Sequence, residues 1–405
     1  MADLRPFPAL RPKSEDASRI CELPYDVMSS DEAREMAEGN PVSFLHVSKP
    51  EIDLPAGTDV YDAAVYAKGR ENFDRLIEGG ALRRDEKACY YLYRLIMDGR
   101  SQTGLVSAAS CRDYDEGVIK KHELTRPAKE DDRVRHMEAL DSQTGPVFLT
   151  YQAQPEFDAF VARVCGREPA VDFTAPDGVQ HTGWVIDSDG EIDFVRSTFA
   201  AIPALYVADG HHRSAAASRV NASRGGAGSS DAFLTVTFPH DQMRILAYNR
   251  ALKDLNGLDS AQLLEALGKV FEIESPGSAE PRAKNQLGLY LGGQWHSLRF
   301  RDEFAKTDNP IDGLDVALLQ DHVLGPMFGV EDPRTSERIS FVGGIRGTGE
   351  LERLVDGGGY ACAFSMYPTS IEDLMAIADQ DGLMPPKSTW FEPKLRDGMF
   401  SHMIG

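Results

Sequence analysis

The chain has 405 residues, enough for two or three domains or one large elaborated one, and its composition, 42% hydrophobic and 26% charged, is ordinary for a globular protein. Its net charge of −21 at pH 7 repels polyanions, so we expect no nucleic-acid partner. We also expect no membrane partner, because no apolar run reaches the roughly 20 residues that span a bilayer.

The predicted elements alternate between helices and strands. Helices are predicted, in chain order, over residues 30–38, 59–78, 126–140, 214–220, 260–270, 315–324, 349–355 and 370–380. Strands are predicted over residues 88–97, 103–110, 147–151, 202–207, 233–238, 245–251, 287–291, 295–300, 337–342 and 360–366. Because several strand pairs are hairpins, we expect a mixed sheet in an α/β architecture with α+β elements, not a doubly wound parallel sheet.

The run Asp-Gly-His-His-Arg at residues 209–213 stands between an apolar predicted strand and an alanine-rich predicted helix. Gly210 permits a tight turn, and free N–H groups at a helix N-terminus bind phosphate. Arg213 can hold a phosphate through two hydrogen bonds, while His211 and His212 can donate to a phosphoryl oxygen or move a proton. Asp209 can hold magnesium or cap the helix. We predict that this motif is functional; the alternative is a plain capped helix with surface histidines.

Two charged strings precede this motif in the chain. Residues 120–123 place Glu123 beside lysines and a histidine, which makes it a candidate base for a hydroxyl group; the alternative is a solvated charge run. Residues 130–133 offer metal ligands and a phosphate-binding Arg133, or an acidic first turn that complements the helix dipole.

A third string, residues 384–391, combines two prolines with Lys387, two hydroxyl residues and two aromatic residues, and Glu392-Pro-Lys394 follows it. Two interpretations stay open for it. The segment closes over a substrate phosphate through Lys387, or it packs its aromatic side chains on the core.

The remaining features concern the cellular location of the protein and the type of nucleotide-binding fold. The five cysteines are scattered without a CxxC pair, which predicts a reducing cytoplasm and neither a disulfide framework nor a zinc ribbon. Residues 1–12 lack an apolar segment, so we expect no signal peptide. Neither a GxGxxG motif after a first strand nor a Walker A loop supports the usual nucleotide-binding folds.

Seven strings, in this order along residues 5–394, resemble the family catalogued as domain of unknown function 1015. They are Arg5–Pro12, Pro24–Val27, Asn40–His46, His122–Glu123, Asp209–Arg213, Tyr367–Ser370 and Met384–Thr389. The central motif is also similar to one in the ParB/sulfiredoxin-like superfamily, where a strand, an Asp-Gly-x-His-Arg turn and a helix bind nucleotide phosphates. The resemblance implies a ParB-like core with N- and C-terminal elaborations.

One branch of that superfamily consists of free-serine kinases, which use the glutamate of a His-Glu string as base and carry the same five-residue run. The resemblance implies a small-molecule kinase that transfers a phosphoryl group from ATP or ADP, with Mg²⁺, to the hydroxyl of serine or a similar metabolite. The implied catalytic residues are Glu123, Asp209, His211 and His212, with Asp209 positioning the hydroxyl or a magnesium ion. The predicted ligands of substrate or phosphate are Gly210, Arg213 and His122 of these strings, together with Arg133 and Lys387 of the charged strings above.

Three regions are predicted. Residues 1–165 form an N-terminal α/β region with the His-Glu string, residues 166–275 a ParB-like region with the central motif, and residues 276–405 a C-terminal α/β region packing on both. The expected partners are a small-molecule substrate and a nucleotide, and a homodimer stays open. The first alternative function is a nucleotide-binding regulator of the ParB-like type without phosphotransfer. A nuclease is the second, and the net charge disfavours it.

Overall fold

The computed structural model describes residues 1–307 and 309–405. It contains two compact units, the first formed by Met1–Met243 with Pro393–Gly405 and the second by Arg244–Glu392. These bounds differ from the predicted boundaries at residues 165 and 275. The first difference arises because strands on both sides of residue 165 hydrogen-bond within one sheet.

The first unit carries a large sheet and most of the long helices. Its strands up to residue 243 are β1 (Leu4–Arg5), β2 (Leu10–Pro12), β3 (Leu82–Arg84), β4 (Tyr90–Met97), β5 (Arg100–Ser110), β6 (Ile119–Lys120), β7 (Ser142–Gln143), β8 (Val147–Tyr151), β9 (Val171–Thr174), β10 (Gln180–Ile186), β11 (Leu205–Asp209) and β12 (Ala232–Pro239). Its helices are α1 (Ala17–Ile20), α2 (Ser30–Ala37), α3 (Leu45–Ser48), α4 (Ala63–Glu78), α5 (Cys111–Asp115), α6 (Pro127–Leu140), α7 (Pro155–Cys165), α8 (Asp189–Ala200) and α9 (His211–Arg224).

The large sheet is mixed, which confirms the predicted α/β class. Its order is β6-β11-β8-β12-β5-β4-β10-β9, and β1 pairs with β5. The pairs β6–β11 and β8–β12 are parallel, whereas the other pairs of this sheet are antiparallel. Strands β8 and β12 are buried along their whole length, as expected for the centre of a covered sheet. Phe160 of α7, Phe199 of α8 and Val220 of α9 belong to the apolar core beside it.

The second unit contains a smaller sheet. Its strands are β13 (Ile245–Leu246), β14 (Tyr248–Leu252), β15 (Phe271–Glu274), β16 (Gln286–Leu291), β17 (Gln294–Phe300), β18 (Ile339–Gly343), β19 (Cys362–Met366) and β20 (Trp390–Phe391). Its helices are α10 (Ser260–Leu267), α11 (Asp302–Ala305), α12 (Asp315–Leu319), α13 (Gly349–Asp356) and α14 (Ile371–Asp379). Six strands form an antiparallel sheet in the order β15-β17-β16-β19-β14-β18. The last strand of the chain, β21 (His402–Met403), pairs with β7 in the first unit.

Most predicted elements lie within a few residues of the observed ones, and three differences stand out. The predicted strand at residues 245–251 divides at Ala247, because β13 pairs with β20 while β14 pairs with β18 and β19. The predicted helix at residues 214–220 begins earlier, at His211. Residues 152–201, for which no element is predicted, form α7, β9, β10 and α8.

The five cysteines of the chain are all free thiols. Within residues 1–307 and 309–405, none of the helices combines the length and the apolar character that crossing a membrane requires.

Candidate functional site

The central motif is a strand, a left-handed turn and a helix, as predicted. β11 ends at Asp209, Gly210 follows with φ +103°, and α9 begins at His211. This backbone conformation is rarely open to residues with a Cβ atom. A Cβ on Gly210 would also lie 3.2 Å from Nε of Arg213. The absence of a side chain at Gly210 therefore permits the turn and leaves space for the Arg213 guanidinium to lie against it.

Asp209 lies between two cations. Lys394 Nζ donates to Asp209 Oδ2 over 3.0 Å, and Arg213 Nη2 lies 3.8 Å from Asp209 Oδ1. Burial alone would raise the pKa of Asp209, but Lys394 and Arg213 together hold that pKa well below its usual range. Asp209 is therefore an ionised carboxylate at neutral pH.

Lys394 stands at the end of the predicted string, in Glu392-Pro-Lys394, but the expected phosphate ligand of that string was Lys387 and not Lys394. The available signal was a lysine directly after a proline, at the end of the segment covered by the family resemblance.

The His-Glu string reaches the central motif through parallel pairing of two strands. In the register of β6 and β11, Ile119 pairs with Leu205 and Lys120 with Tyr206. The residues that follow these strands therefore leave the same edge of the sheet. As a result, Glu123 Oε2 lies 3.9 Å from His211 Nδ1.

His122 packs directly against His211. The two ring centroids are 4.4 Å apart in an edge-to-face arrangement, and the backbone N–H of His122 donates to His211 Nε2 over 3.5 Å. Because His211 Nε2 accepts this hydrogen bond, we assign the ring proton to Nδ1, which faces Glu123. The predicted halves of the site therefore come together in the structure.

The three histidines of the site are held neutral. Burial lowers the pKa of His122 to about 4, and burial together with His122 lowers the pKa of His211 well below its usual range. Burial also lowers the pKa of His212, whose Nε2 accepts a hydrogen bond from the backbone N–H of Arg126 over 3.0 Å. At neutral pH these rings can position a hydrogen bond, but they add no positive charge.

The start of α9 lacks a side-chain cap among the residues that the structure describes, and its cap position is Gly210. The first N–H groups of a helix lack intrahelical partners, and the helix dipole favours negative charge there. The side chain of Glu123 is 41% exposed, so a substrate bound at this helix end can reach its carboxylate.

Arg213 lies in a cluster of closely packed groups, which include Pro146, Gly145 and Asp397. Arg213 is buried, and its Nη1 donates to the carbonyl oxygen of Pro146. A Cβ on Gly145 would lie 3.0 Å from Asp397 Oδ1 and 3.4 Å from Arg213 Cδ, so this glycine makes room for both side chains. Burial alone would lower the pKa of Arg213, but Asp26, Asp209 and other neighbours raise it, so the guanidinium stays charged.

Asp397, which the sequence analysis did not select, is the most unusual acid of this cluster. It is buried, and its Oδ1 atom has no hydrogen-bond partner among the described residues. Burial raises its pKa to about 7, while Arg213 and Arg133 act in the opposite direction. Asp397 therefore titrates close to neutral pH.

The carboxylates of the acidic string on α6 already form ion pairs with arginines of the protein. Glu130 and Asp131 both accept from Arg219 Nη1, at 2.8 and 2.7 Å. Arg133 donates twice to Asp132 Oδ2, at 3.0 and 2.7 Å, and its guanidinium lies 3.8 Å from the centre of the Tyr25 ring. The phosphate-binding role of Arg133 stays a prediction.

A model of one protein family covers most of the chain. The family described as "Protein of unknown function (DUF1015)" matches residues 4–317. The chain belongs to the DUF1015 family. Its description names no reaction, and no curated protein sequence matches this member.

Three solved structures are similar to this DUF1015 protein at low identity. A mutant free serine kinase in complex with AMP is 13% identical, with a TM-score of 0.35 over 71% of this chain and 87% of that chain. SbnI with a C-terminal truncation, from Staphylococcus aureus, is 12% identical, with a TM-score of 0.39 over 72% and 85%. A conserved hypothetical protein from Pyrococcus furiosus is 13% identical, with a TM-score of 0.35 over 73% and 93%. Similarity this weak assigns neither substrate nor activity.

The DUF1015 site does not fit a magnesium site built by the protein alone. The residues described here contain no group of three or more His, Cys, Asp or Glu side chains that could hold a metal ion. Asp209, the predicted ligand, already has Lys394 and Arg213 beside its two oxygens. A cation would have to compete with both.

Lys387 belongs to the second unit of the DUF1015 protein. Its backbone has φ +58°, and its Nζ lies 5.2 Å from the centre of the Tyr248 ring. Both residues are part of Arg244–Glu392. The role of Lys387 as a phosphate ligand stays a prediction.

Proposed function

We propose that this chain is a small-molecule kinase that transfers a phosphoryl group from ATP or ADP to the hydroxyl of serine or a similar metabolite. One observation carries the proposal: the Glu123 carboxylate lies 3.9 Å from His211 Nδ1, at the start of α9, which no side chain of the described residues caps. This arrangement places a candidate base and an anion-binding helix end in one site.

The helix end supports the binding of the phosphoryl donor. α9 is 14 residues long, and its N-terminus presents unpaired N–H groups together with the positive end of the helix dipole. Gly210 lets the backbone approach a phosphate closely. Local binding of this kind does not require a basic protein, which is consistent with the net charge of −21.

Glu123 supplies the acid–base part of the reaction. Its carboxylate accepts the proton of the substrate hydroxyl as that oxygen forms a bond to the transferred phosphorus. The bond from this phosphorus to the bridging oxygen of the nucleotide breaks, and its electron pair leaves with the nucleotide. His211 Nδ1–H faces the carboxylate at 3.9 Å, beyond hydrogen-bond distance, and contributes a dipole directed toward it. Such catalysis depends on positioning and electrostatics, with no covalent enzyme intermediate.

Asp209 acts as an electrostatic support in this proposal. Its charge is matched by Lys394 and Arg213, which keeps these cations in place at the end of β11. Of the two roles predicted for Asp209, this pairing favours the positioning of groups over the binding of magnesium. We therefore assign no step to a metal ion.

Turnover by the purified full-length chain tests the proposal. ³¹P NMR follows ATP or ADP, with magnesium in the buffer, mixed in turn with hydroxy amino acids and polyols. We expect a new phosphomonoester signal with at least one acceptor. Glu123→Gln, which removes the candidate base, should abolish or greatly slow the appearance of this signal. Glu116→Gln is its matched control, because Glu116 is an exposed partner of Arg112 on α5.

Two results would contradict the kinase proposal. No phosphomonoester with any acceptor, together with specific nucleotide binding, would favour the alternative of a nucleotide-binding regulator. Neither turnover nor nucleotide binding would remove both functions.

A further inference from the structure

A buried arginine of the second unit lacks the partner that buried arginines elsewhere in the chain have. Arg133, Arg213 and Arg396 are buried and pair with Asp132, Asp209 and Asp177. Arg250 on β14 is only 3% exposed, yet within the described ranges no carboxylate forms an ion pair with it. A buried charge is normally paired, because removing it from water is costly.

The contacts of Arg250 are with neutral groups. Its Nη1 donates to the carbonyl oxygen of Tyr248, and its Nη2 donates to the carbonyl oxygen of Lys387 over 3.2 Å. Its guanidinium carbon lies 5.2 Å from the centre of the Phe341 ring. Burial lowers the pKa of Arg250 to about 10, so it stays cationic at neutral pH. A guanidinium has five N–H donors, and these contacts use only part of them.

Arg250 lines a cavity of about 290 Å³. The apolar wall includes Val316, Leu324, Phe341 and Pro385. The volume is at the lower end of the range for small-molecule sites, which indicates a compact ligand. Pro385 comes from the string at residues 384–391, which the proposed kinase mechanism does not use.

Two further features of the lining narrow the class of ligand. The side-chain oxygen of Gln320 is buried and, in the part of the chain described, has no hydrogen-bond partner. It can accept from a donor on a ligand. Glu331 and Asp332 also line the cavity, and Asp332 is held by Arg334. These acids oppose a doubly charged phosphate more strongly than a singly charged carboxylate.

We propose that this cavity is a second binding site, which takes a small carboxylate with an apolar body and a hydrogen-bond donor, the chemistry of an apolar α-amino acid. The carboxylate accepts hydrogen bonds from Arg250 in the planar geometry that a guanidinium favours. The donor meets the oxygen of Gln320, and the apolar body lies against Phe341 and Pro385. This site is independent of the proposed kinase reaction, since an apolar amino acid has no hydroxyl to phosphorylate.

Methyl-detected NMR on the unmodified full-length chain tests this proposal. L-leucine and L-leucinamide, which differ in the carboxylate, are titrated into protein labelled at its leucine and valine methyl groups. We expect L-leucine to shift the methyl signals of Val316 and Leu324, and L-leucinamide to bind at least about tenfold more weakly. The conservative variants Val316→Ile and Leu324→Val assign these signals.

Substitutions then test whether Arg250 binds the carboxylate of the ligand. Arg250→Gln is expected to weaken L-leucine binding by about tenfold or more. Arg353→Gln, which removes an exposed cation that is paired with Glu350 and does not line the cavity, is expected to leave the binding unchanged within about twofold. Should Arg250→Gln fail to fold, the comparison of L-leucine with L-leucinamide on the unmodified chain still decides. Equal binding of the two compounds, or no shift of either methyl signal at roughly millimolar ligand, would overturn the proposal.

Discussion

Lys394 Nζ donates to Asp209 Oδ2 over 3.0 Å, which joins two residues 185 positions apart in the sequence. Lys394 belongs to Pro393–Gly405, the segment with which the chain completes its first unit. The same segment contributes the buried Asp397 beside Arg213. The end of the chain is therefore a structural part of the candidate site.

Removing the charge of Lys394 is expected to destabilise the protein. In Lys394→Met the Asp209 carboxylate loses its closest cation, and breaking a buried pair in this way costs several kcal/mol. Because the Asp209 side chain is 28% exposed, we expect a smaller loss of about 1–3 kcal/mol in the free energy of unfolding. Urea denaturation at pH 7 measures it.

The control for this variant is Lys306→Met. Its ion pair with Asp302 is 76% and 75% exposed, so the loss should stay below about 0.5 kcal/mol. The ion pair with Lys394 stabilises the protein only while Asp209 is ionised. Because the pKa of Asp209 is lowered, this stabilisation is present at neutral pH and is lost as the pH falls through that pKa. Equal losses in the two variants at pH 7 would contradict the ion pair.

Replacing Asp397 with asparagine should change how stability depends on pH. Its folded pKa of about 7 lies above the ordinary value of 3.8, so the contribution of Asp397 to wild-type stability falls as the pH rises from about 4 to about 7. Asp397→Asn lacks this loss. We expect its free energy of unfolding, relative to wild type, to increase by up to about 4 kcal/mol across that interval.

Urea denaturation at pH 4, 5.5 and 8 measures this difference. Asp187→Asn, at an exposed position, serves as the control and should show no comparable trend. A constant difference between Asp397→Asn and wild type at all three values would show that Asp397 is already ionised at low pH.

Adding one methyl group at the central turn should disturb both the backbone and Arg213. Gly210→Ala forces φ +103° on a residue with a Cβ and brings that atom to 3.2 Å from Arg213 Nε. We expect a loss of about 1–3 kcal/mol in stability, measured by thermal or urea denaturation. Gly190→Ala in α8 is the control, because no described atom near it would meet the added Cβ and stability should rise slightly. Similar effects of both substitutions would contradict the strained turn.

The buried His122 should remain neutral across the physiological range. With a folded pKa of about 4, its Cε1–H NMR signal should not move between pH 5.5 and 8.5. The folded state resists protonation more than the unfolded state does. Its contribution to stability is therefore present above about pH 6.5 and declines as the pH falls toward 4. A titration midpoint near 6.5 would show that His122 is hydrated and not packed against His211.

The sequence predicted the local part of the site well. The glycine and the residues around it at 209–213 dictate a strand, a turn and a helix, since these features depend on near neighbours. The pairing of β6 with β11 joins segments 86 residues apart (205 − 119), and no local pattern encodes it. The resemblance to a known family brought Glu123 to the site, not the spacing of residues.

The charged residues that reach the site from distant parts of the sequence could not be predicted from local patterns. Lys394 and Asp397 are ordinary charged residues by local pattern, and they become special only because the last segment completes the first unit. The string at 384–391 suggested Lys387 instead, because its neighbouring prolines and hydroxyl groups were the more visible local signal. The mixed α/β class was predictable, since hairpins and helices have distinct periodicities.

The most direct test of the account is turnover by Glu123→Gln compared with wild type, at saturating nucleotide and with the acceptor that the substrate panel identifies. If Glu123 is the base, the rate should fall by about 10²–10⁴-fold while the Kd for nucleotide, measured by calorimetry, stays within about twofold. A variant that keeps the wild-type rate would show that Glu123 is not the base and would contradict the mechanism.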